Sequence, residues 1–320
     1  MAPSHAAKRV LVVYYSQTGQ LTRAVQSFVA PLRDCPDIEL VDAAIVPREP
    51  YRFPWRFLDF LDVFPESVYL DPPAIAPVAF DPDEHFDLII LAYQVWFLSP
   101  SLPITGFLHS DAARVLAGRP VITLIACRNM WLTAEAKVIA LLERRGARLI
   151  DNVVLIDRGP PWSTFITTPR WLLTGRKDAF WKIFPAAGVS AADIEGAARF
   201  GRALRGALPT LQGAPTQSLL RGLGAVHVDP RYIASERIGH RSFLLWGRLL
   251  RRIGPPGSRP RRVALVFYAA FLATMILTVL PVTLAVAWLL RPFLSGRLRA
   301  AAQRLEAPSG SNCDRCGEFL

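Results

Sequence analysis

Short apolar runs alternate with amphipathic stretches over the first two thirds of the chain. Apolar runs predict five strands, at residues 10–15, 38–46, 86–93, 120–126 and 148–157. Helical periodicity predicts helices at residues 20–32, 105–116, 133–145 and 191–208. This alternation predicts an α/β fold, a doubly wound five-stranded parallel sheet with the strand order 2-1-3-4-5. In such a sheet, ligands bind at the carboxyl ends of the strands, where the strand order reverses.

Two aromatic-rich insertions interrupt this pattern. Residues 47–82 stand where the second helix is expected, and residues 158–189 precede the last helix and contain Trp162, Trp171 and Trp181. Long segments at such positions often form lids or walls of binding sites. They can equally cover an exposed edge of the sheet, and the sequence leaves both interpretations open.

A long uncharged segment lies near the C-terminus. Residues 263–290, between Arg262 and Arg291, contain no charged side chain, and about 20 apolar residues suffice to span a bilayer. We therefore expect a transmembrane helix or a re-entrant anchor, with a kink at Pro281. Arginines stand on both sides of the segment, so the positive-inside rule does not fix its orientation, and a re-entrant hairpin would keep both flanks in the cytoplasm.

These features divide the chain into four parts. Residues 1–208 are the expected cofactor-binding domain, residues 209–262 a linker with a basic interfacial segment, residues 263–290 the anchor and residues 291–320 a basic tail. The N-terminus lacks the apolar core of a signal peptide. We therefore expect the protein at the inner (cytoplasmic) membrane, with its catalytic domain facing the cytoplasm.

The composition favours a membrane partner over a nucleic acid. Hydrophobic residues make up 52% of the chain, and the formal net charge is +11. The basic excess gathers after residue 199, around the apolar segment, which favours anionic lipid. The four cysteines form no disulfide framework. We expect no metal site, because Cys313 and Cys316 have no further candidate ligands nearby in the sequence.

The segment after the first predicted strand carries the clearest chemical signal. The apolar run stops at a loop rich in hydroxyl groups and glycine, and an amphipathic helix begins at once. Backbone N–H groups and the helix dipole converge at such a position and favour an anion. A loop without Lys suits a phosphate monoester better than a nucleoside triphosphate. The residues expected to hold the phosphate are Ser16, Thr18, Gly19, Gln20, Leu21 and Thr22.

A second loop follows the third predicted strand at the same edge of the sheet. It spans residues 93–108 and is rich in aromatic, small and proline residues. Small residues let the backbone approach the polar edge of a cofactor ring, and aromatic side chains offer flat faces or shield the ring from water. The residues expected to border such a ring are Tyr93, Gln94, Val95 and Trp96.

A third loop, residues 126–133, follows the fourth predicted strand. Arg128 and Trp131 are its candidate catalytic residues. A guanidinium there can stabilise negative charge that develops on a reduced ring or an enolised substrate, and an indole can cover the site. Cys127 and Asn129 are candidates for cofactor contacts, although a cysteine at a strand end is more often a small buried side chain than a nucleophile.

These loops resemble those of known flavoproteins. The segment Tyr-Tyr-Ser-Gln-Thr-Gly-Gln-Leu-Thr at residues 14–22 resembles the phosphate loop of flavodoxins, and residues 92–104 resemble a loop of flavodoxin-like quinone reductases. Together with Cys-Arg-Asn-Met-Trp at residues 127–131, they resemble bacterial proteins of the dialkylresorcinol condensing enzyme family. The resemblance implies a flavodoxin-like domain that holds FMN by its 5′-phosphate.

The family resemblance also implies a function. A ketosynthase of the same pathway supplies a cyclohexanedione, and its aromatisation removes two electrons and two protons, which suits a flavin. We therefore expect a membrane-anchored, FMN-dependent oxidoreductase that acts on a lipophilic cyclic diketone or resorcinol, with that ketosynthase as a candidate partner. An NAD(P)H:quinone reductase and a membrane-tethered flavodoxin-type electron carrier are the alternatives. The basic charge disfavours the carrier, because flavodoxin carriers are typically acidic.

Overall fold

The computed structural model describes residues 7–279, 281–282, 285–286, 296 and 299–319. Its strands are β1 (Lys8–Tyr14), β2 (Ile38–Ala44), β3 (Leu88–Trp96), β4 (Ser99–Pro100), β5 (Pro120–Cys127) and β6 (Arg148–Ile156). Five of them form a parallel sheet in the order β2-β1-β3-β5-β6, and the two-residue β4 pairs antiparallel with the end of β3. Without β4, this is the predicted order 2-1-3-4-5, so the doubly wound fold is confirmed.

The apolar runs become strands that are covered on both faces. All residues from Val10 to Val13 in β1 and from Leu88 to Tyr93 in β3 are fully buried. Such double burial explains why these strands read as continuous apolar runs and not as alternating patterns.

Helices cover the sheet and occupy the insertions. They are α1 (Gln20–Arg33), α2 (Phe57–Asp62), α3 (Phe64–Tyr69), α4 (Leu102–His109), α5 (Leu132–Arg144), α6 (Pro161–Thr174), α7 (Ala191–Gly196), α8 (Ala198–Ala207), α9 (Pro230–Ile253) and α10 (Arg259–Leu277). The helix expected at 105–116 is divided into α4 and a 3-10 helix, Asp111–Leu116. The helix expected at 191–208 is divided into α7 and α8.

The two aromatic-rich insertions meet each other. The first contains α2 and α3, and the second contains α6. Trp55 donates its backbone N–H to the carbonyl of Leu172 at 2.8 Å, and the rings of Phe53 and Trp171 pack edge to face at 6.5 Å. The two insertions therefore pack against each other and form one layer.

The packed core does not end at residue 208, where we expected the α/β domain to end. Leu220 and Leu223 are fully buried, and Val154 of β6 donates a hydrogen bond to the carbonyl of Ala225 at 2.9 Å. Val226 in turn donates to the carbonyl of Gly310 at 3.2 Å. Parts of the expected linker and of the expected tail thus cover the edge of the sheet beside β6.

Helices α9 and α10 pack against each other and against α2 and α3. The Arg261 guanidinium of α10 is buried, with its Nε 2.6 Å from Asp62 Oδ1 and its Nη1 2.9 Å from Glu66 Oε1. The stacked rings of Phe64 and Tyr268 lie 4.7 Å apart beside this ion pair. Polar and aromatic contacts therefore fix the first half of α10 on the domain.

Helix α10 is long and apolar enough to cross a membrane, by length and composition only, and 17% of its apolar stretch is buried within the protein. It accounts for the first part of the anchor expected at residues 263–290. Residues 280, 283–284 and 287–290 of that anchor lie outside the described residues.

Candidate functional site

The loop between β1 and α1 has the geometry of an anion site. Gly19 is the N-cap of α1 and has φ +77°, a left-handed conformation that favours glycine. A side chain there would meet no atom within 4 Å, so the backbone is open on that side. The first turn of α1 contains no acidic residue. Its N–H groups and its dipole are therefore free of a competing carboxylate on the helix itself.

One hydroxyl in this loop has no partner. Ser16 Oγ is buried and makes no hydrogen bond within the described part of the chain. Thr18 Oγ1 makes one long contact, accepting from the backbone N–H of Gln20 at 3.4 Å. A buried hydroxyl without a partner is costly. Ser16 is therefore the side chain in the loop best suited to donate to a bound oxyanion.

The side chains of Gln20 and Leu21 make contacts within the protein. Gln20 is buried, donates to the carbonyl of Val189 at 3.2 Å and accepts from the N–H of Val189 at 3.1 Å. Leu21 is fully buried in the core. The backbone N–H groups of these two residues remain the expected donors to an anion, and the half-buried Thr22 follows them in the first turns of α1.

The second insertion is tied to the phosphate loop through Asp157, which follows β6. The Asp157 carboxylate accepts backbone N–H groups from Gly159 at 2.9 Å and from Gly188 at 2.8 Å. Gly188 in turn precedes the Val189 peptide that Gln20 holds. The sequence pattern gave no reason to single out Asp157, because it stood at the end of a predicted strand without a recognisable motif.

An aromatic wall borders the loop. The ring of Trp96 contacts the rings of Tyr15 at 6.0 Å, Tyr51 at 5.1 Å and Trp55 at 5.9 Å. Burial raises the pKa of Tyr15 to about 12, so its phenol is neutral at physiological pH. Tyr51 and Trp55 come from the first insertion, which therefore supplies a wall of this site, one of the two roles that the sequence left open.

Gln17 connects this wall to the phosphate loop. Its Oε1 accepts from Trp55 Nε1 at 3.1 Å, and its Nε2 donates to the carbonyl of Arg52 at 3.3 Å. Its backbone N–H donates to Gln94 Oε1 at 3.4 Å. The loop, the first insertion and β3 thus converge on Gln17, a residue that the loop motif does not single out as a ligand.

The four residues expected to border a ring divide between core and wall. Tyr93 is fully buried, its hydroxyl has no hydrogen-bond partner in the described part of the chain, and desolvation raises its pKa well above 10. Gln94 reaches the phosphate loop, Val95 pairs with Pro100, and Trp96 stands in the aromatic wall. Their contacts to a cofactor stay a prediction.

The loop after β5 contacts α6 and α9. Arg128 Nε donates to Thr164 Oγ1 at 2.7 Å, and its guanidinium lies 3.9 Å from the centre of the Phe165 ring. Desolvation lowers the pKa of Arg128 to about 10, which keeps it cationic at neutral pH. Asn129 is placed against Tyr232 of α9. The structure thus brings Arg128 and Asn129 to the carboxyl edge of the sheet, next to β3.

Trp131 is buried, whereas Cys127 is half-buried like Arg128 and Asn129. Trp131 is 2% exposed and packs in the core at the start of α5. Burial raises the pKa of the Cys127 thiol, with smaller contributions from Glu236 and Asp157, which keeps it protonated. This agrees with a filler role for the cysteine. A contact between Trp131 and a ring stays a prediction that the buried position does not favour.

Basic side chains lie near the start of α1. Desolvation lowers the pKa of the Lys177 amine, and the nearby positive charge of Arg23 lowers it further. Lys177 belongs to the second insertion, so its position near α1 could not be read from the loop motif. Two cations close together raise the local potential that an anion would experience.

No group of three or more His, Cys, Asp or Glu side chains that could hold a metal ion occurs within the described residues. Cys313 and Cys316 are joined in a disulfide, with a Cα–Cα distance of 5.1 Å. Cys35 and Cys127 are free thiols.

Comparison with known proteins gives weak structural similarities. No family model matches the chain, and no curated protein is significantly similar to it. A flavoprotein in complex with FMN from Lactobacillus acidophilus NCFM is 18% identical with a TM-score of 0.37, covering 46% of this chain and 93% of its own. A flavodoxin from the domain Archaea is 10% identical with a TM-score of 0.33, covering 62% and 96%.

A two-electron reduced flavodoxin from Megasphaera elsdenii is 19% identical with a TM-score of 0.26, covering 45% of this chain and 84% of its own. Because these values are low, the fold assignment rests on the strand order of the sheet itself. That order, β2-β1-β3-β5-β6, is the flavodoxin-like arrangement.

Proposed function

We propose that the protein is an FMN-dependent oxidoreductase whose phosphate loop holds the FMN 5′-phosphate. The observation that carries the proposal is the unpartnered, buried Ser16 hydroxyl at a strand–loop–helix junction without a competing acid. Thr18, Gly19 and the first N–H groups of α1 complete the donor set, and Thr22 adds a further hydroxyl. Hydroxyl and backbone N–H donors at a helix N-terminus are suited to hold a phosphate dianion.

The aromatic wall supports placing a planar ring next to the phosphate loop. Trp96, Tyr51 and Trp55 give apolar faces that exclude water, and Gln17 and Gln94 give polar groups at their margin. FMN would supply two-electron redox chemistry at this position. Arg128, from the loop after the neighbouring strand β5, would stabilise negative charge on a ring or on an enolised substrate.

For the substrate we propose a lipophilic cyclic diketone or resorcinol, in the aromatisation step that the family resemblance implies. Aromatisation of a cyclohexanedione removes two electrons and two protons, which a bound flavin accepts. The aromatic lining of the site fits such a substrate. A ketosynthase that delivers the cyclohexanedione is the proposed partner.

We also propose that the protein associates with the inner membrane, with the catalytic domain in the cytoplasm. Helix α10 and its uncharged continuation support this, together with the arginines on either side of the segment. A membrane location would concentrate a lipophilic substrate near the site.

The experiment compares FMN with riboflavin, which lacks the phosphate. Flavin-free full-length protein in detergent is titrated with each ligand by fluorescence, for the wild type and for a Thr18→Val/Thr22→Val variant. Losing a hydrogen bond to a charged group costs about 1.5–3 kcal/mol, or roughly 10- to 100-fold in affinity. The variant should therefore weaken FMN binding and leave riboflavin binding unchanged.

The matched control is Thr210→Val, outside the site, where the hydroxyl donates to the carbonyl of Ala207. Equal affinity of the wild type for FMN and riboflavin would reject the phosphate loop. With FMN bound, oxidation of a cyclohexane-1,3-dione by a short-chain quinone acceptor tests the reaction, and the absence of turnover would reject the proposed substrate class.

A further inference from the structure

We infer that the apolar segment enters and leaves the membrane on the same side, so that the outer face of α9 and α10 rests on one anionic leaflet. This rests on the proposed membrane association and specifies its topology. It selects the re-entrant arrangement over a single span, a choice that the arginines on both sides of the segment do not make.

The chain after the apolar segment returns to the core of the α/β domain. Ala302 is 5% exposed within the main hydrophobic cluster. Ser309 Oγ accepts the backbone N–H of Asn152 at 2.8 Å and donates to Asp151 Oδ1 at 2.7 Å. Glu306 accepts the backbone N–H of Val228 at 3.0 Å. The tail is therefore part of the domain's internal hydrogen bonding.

A single span is incompatible with these contacts. The hydrocarbon core of a bilayer is about 30 Å thick, so a helix that crossed it would carry residues 299–319 away from β6. The buried N–H of Asn152 and the carboxylate of Asp151 would then lose partners, and unsatisfied buried groups cost about 1–3 kcal/mol each. Both ends of the apolar segment consequently belong on the side of the α/β domain.

The start of α10 is fixed on that same side. Arg261 is 1% exposed and pairs with Asp62 and Glu66 in the first insertion. Removing one partner from a buried ion pair is strongly destabilising, by about 3–5 kcal/mol. This pair therefore keeps the entry point of the segment against α2 and α3.

The outer face of the two helices has the chemistry of a membrane interface. On α10 it exposes Val263, Val266 and Phe267, and on α9 it exposes Leu245 and Leu249. Within the described part of the chain, these apolar side chains are 46% to 70% exposed. Amphipathic surfaces with apolar residues and arginines insert at the boundary between headgroups and acyl chains.

Charge decides between lipid and a second copy of the chain as the occupant of this face. Residues 237–305 contain twelve arginines and no Asp or Glu. Three of these arginines pair with acidic residues of the first insertion, namely Arg251 with Asp71, Arg261 with Asp62 and Glu66, and Arg262 with Asp59. Two copies meeting through this face would bring arginines together, whereas anionic headgroups neutralise them.

The topology is tested on the full chain in a bacterial host, with reporters fused at the N-terminus or at the C-terminus. Green fluorescent protein reports a cytoplasmic end, and alkaline phosphatase reports a periplasmic end. We expect the membrane fraction to contain the protein, with both green fluorescent fusions bright and both phosphatase fusions inactive. An active phosphatase at the C-terminus alone would overturn the same-side topology and leave membrane association intact. Recovery of the full chain in the soluble fraction would overturn both.

A substitution tests the outer face. Val266→Glu adds a charge on α10 where the side chain is 54% exposed, and Val46→Glu is its control at a position that is 56% exposed after β2. We expect Val266→Glu to lower the fraction bound to vesicles that contain phosphatidylglycerol, and Val46→Glu to leave it unchanged. Equal binding of the two variants would show that this face does not contact lipid.

Discussion

Ser16 and Gln20 differ in what their side chains can still bind. The Gln20 amide both donates to and accepts from the Val189 peptide, whereas the Ser16 hydroxyl has no partner in the described part of the chain. The loop motif predicts both residues as cofactor ligands without distinction. Gln20 is identified as a positioning residue, and Ser16 as a candidate ligand, only by contacts with a segment about 170 positions away. A local sequence pattern contains no information about such contacts.

Glu135 is a second residue whose environment is invisible in the sequence. It is buried in α5, where Asn152 Nδ2 donates to its carboxyl group. Desolvation raises its pKa from 4.5 to about 8, with the Asn152 hydrogen bond opposing and Glu236 adding to the shift. The carboxyl group is therefore protonated at neutral pH in the folded protein and ionised in the unfolded chain.

This difference predicts a pH dependence of stability. A raised folded-state pKa gives stability that is complete below pH 4.5 and is lost as the pH rises to about 8. Glu135→Gln, which keeps a neutral side chain of similar shape, should flatten this part of the profile. Chemical denaturation of the full chain in detergent between pH 5 and 8 measures it. Exposed Glu143→Gln on the same helix is the control, and the same slope in all three proteins would show that Glu135 does not cause the pH dependence.

The strands of the parallel sheet can be predicted from the sequence, whereas the short hairpin at the end of β3 cannot. The five parallel strands are predicted because double burial produces continuous apolar runs. The β3–β4 hairpin is not predicted, because its turn residues Phe97 and Leu98 have φ +49° and +58° and neither is glycine. Packing of the Phe97 ring against Phe60 at 4.9 Å and Phe64 at 5.4 Å offsets that backbone cost.

Gly188 links the second insertion to the phosphate loop. It has φ +87°, and a Cβ there would lie 2.7 Å from both polar atoms of the Gln20 side chain and 2.9 Å from Trp171. Gly188→Ala should therefore displace Gln20 and weaken FMN binding. Gly213→Ala is the matched control, since Gly213 has φ +94° with no atom within 4 Å of an added Cβ.

Both glycine variants carry the strain of a left-handed alanine, about 1–2 kcal/mol, so both should unfold at lower denaturant concentration than the wild type. Only Gly188→Ala should also lower FMN affinity in a fluorescence titration. If the two variants bind FMN equally well, Gln20 does not position the loop.

At the scale of the whole molecule, the sequence predicts a domain that ends at 208, whereas the described core also includes residues 219–228 and 302–310. The local signals there are short and polar, and they look like linker and tail. Their role arises from pairing with β6 and with the buried carboxylate of Asp151, which accepts from Ser218, Leu219 and Ser309. Hydrogen bonds between segments so far apart in the sequence produce no periodic pattern of apolar residues from which they could be predicted.

Because the tail forms hydrogen bonds with β6, we expect it to contribute to the stability of the sheet. Ser309→Ala removes hydrogen bonds to Asn152 and Asp151, which should cost about 1–3 kcal/mol. Ser311→Ala, at an exposed position on the same tail where the hydroxyl bonds Glu306, should cost less. Thermal unfolding in detergent measures both, and an unchanged midpoint for Ser309→Ala would mean that the tail does not close on the domain.

We propose above all that the loop from Ser16 to Thr22 binds FMN. Its most direct test is the visible absorption spectrum of the full-length protein purified in mild detergent, followed by heat release and identification of the flavin. We expect bands of an oxidised flavin and about one FMN released per chain, with uptake of added FMN where the protein is purified partly empty. A colourless protein that takes up no FMN, with its fold intact by circular dichroism, would contradict it.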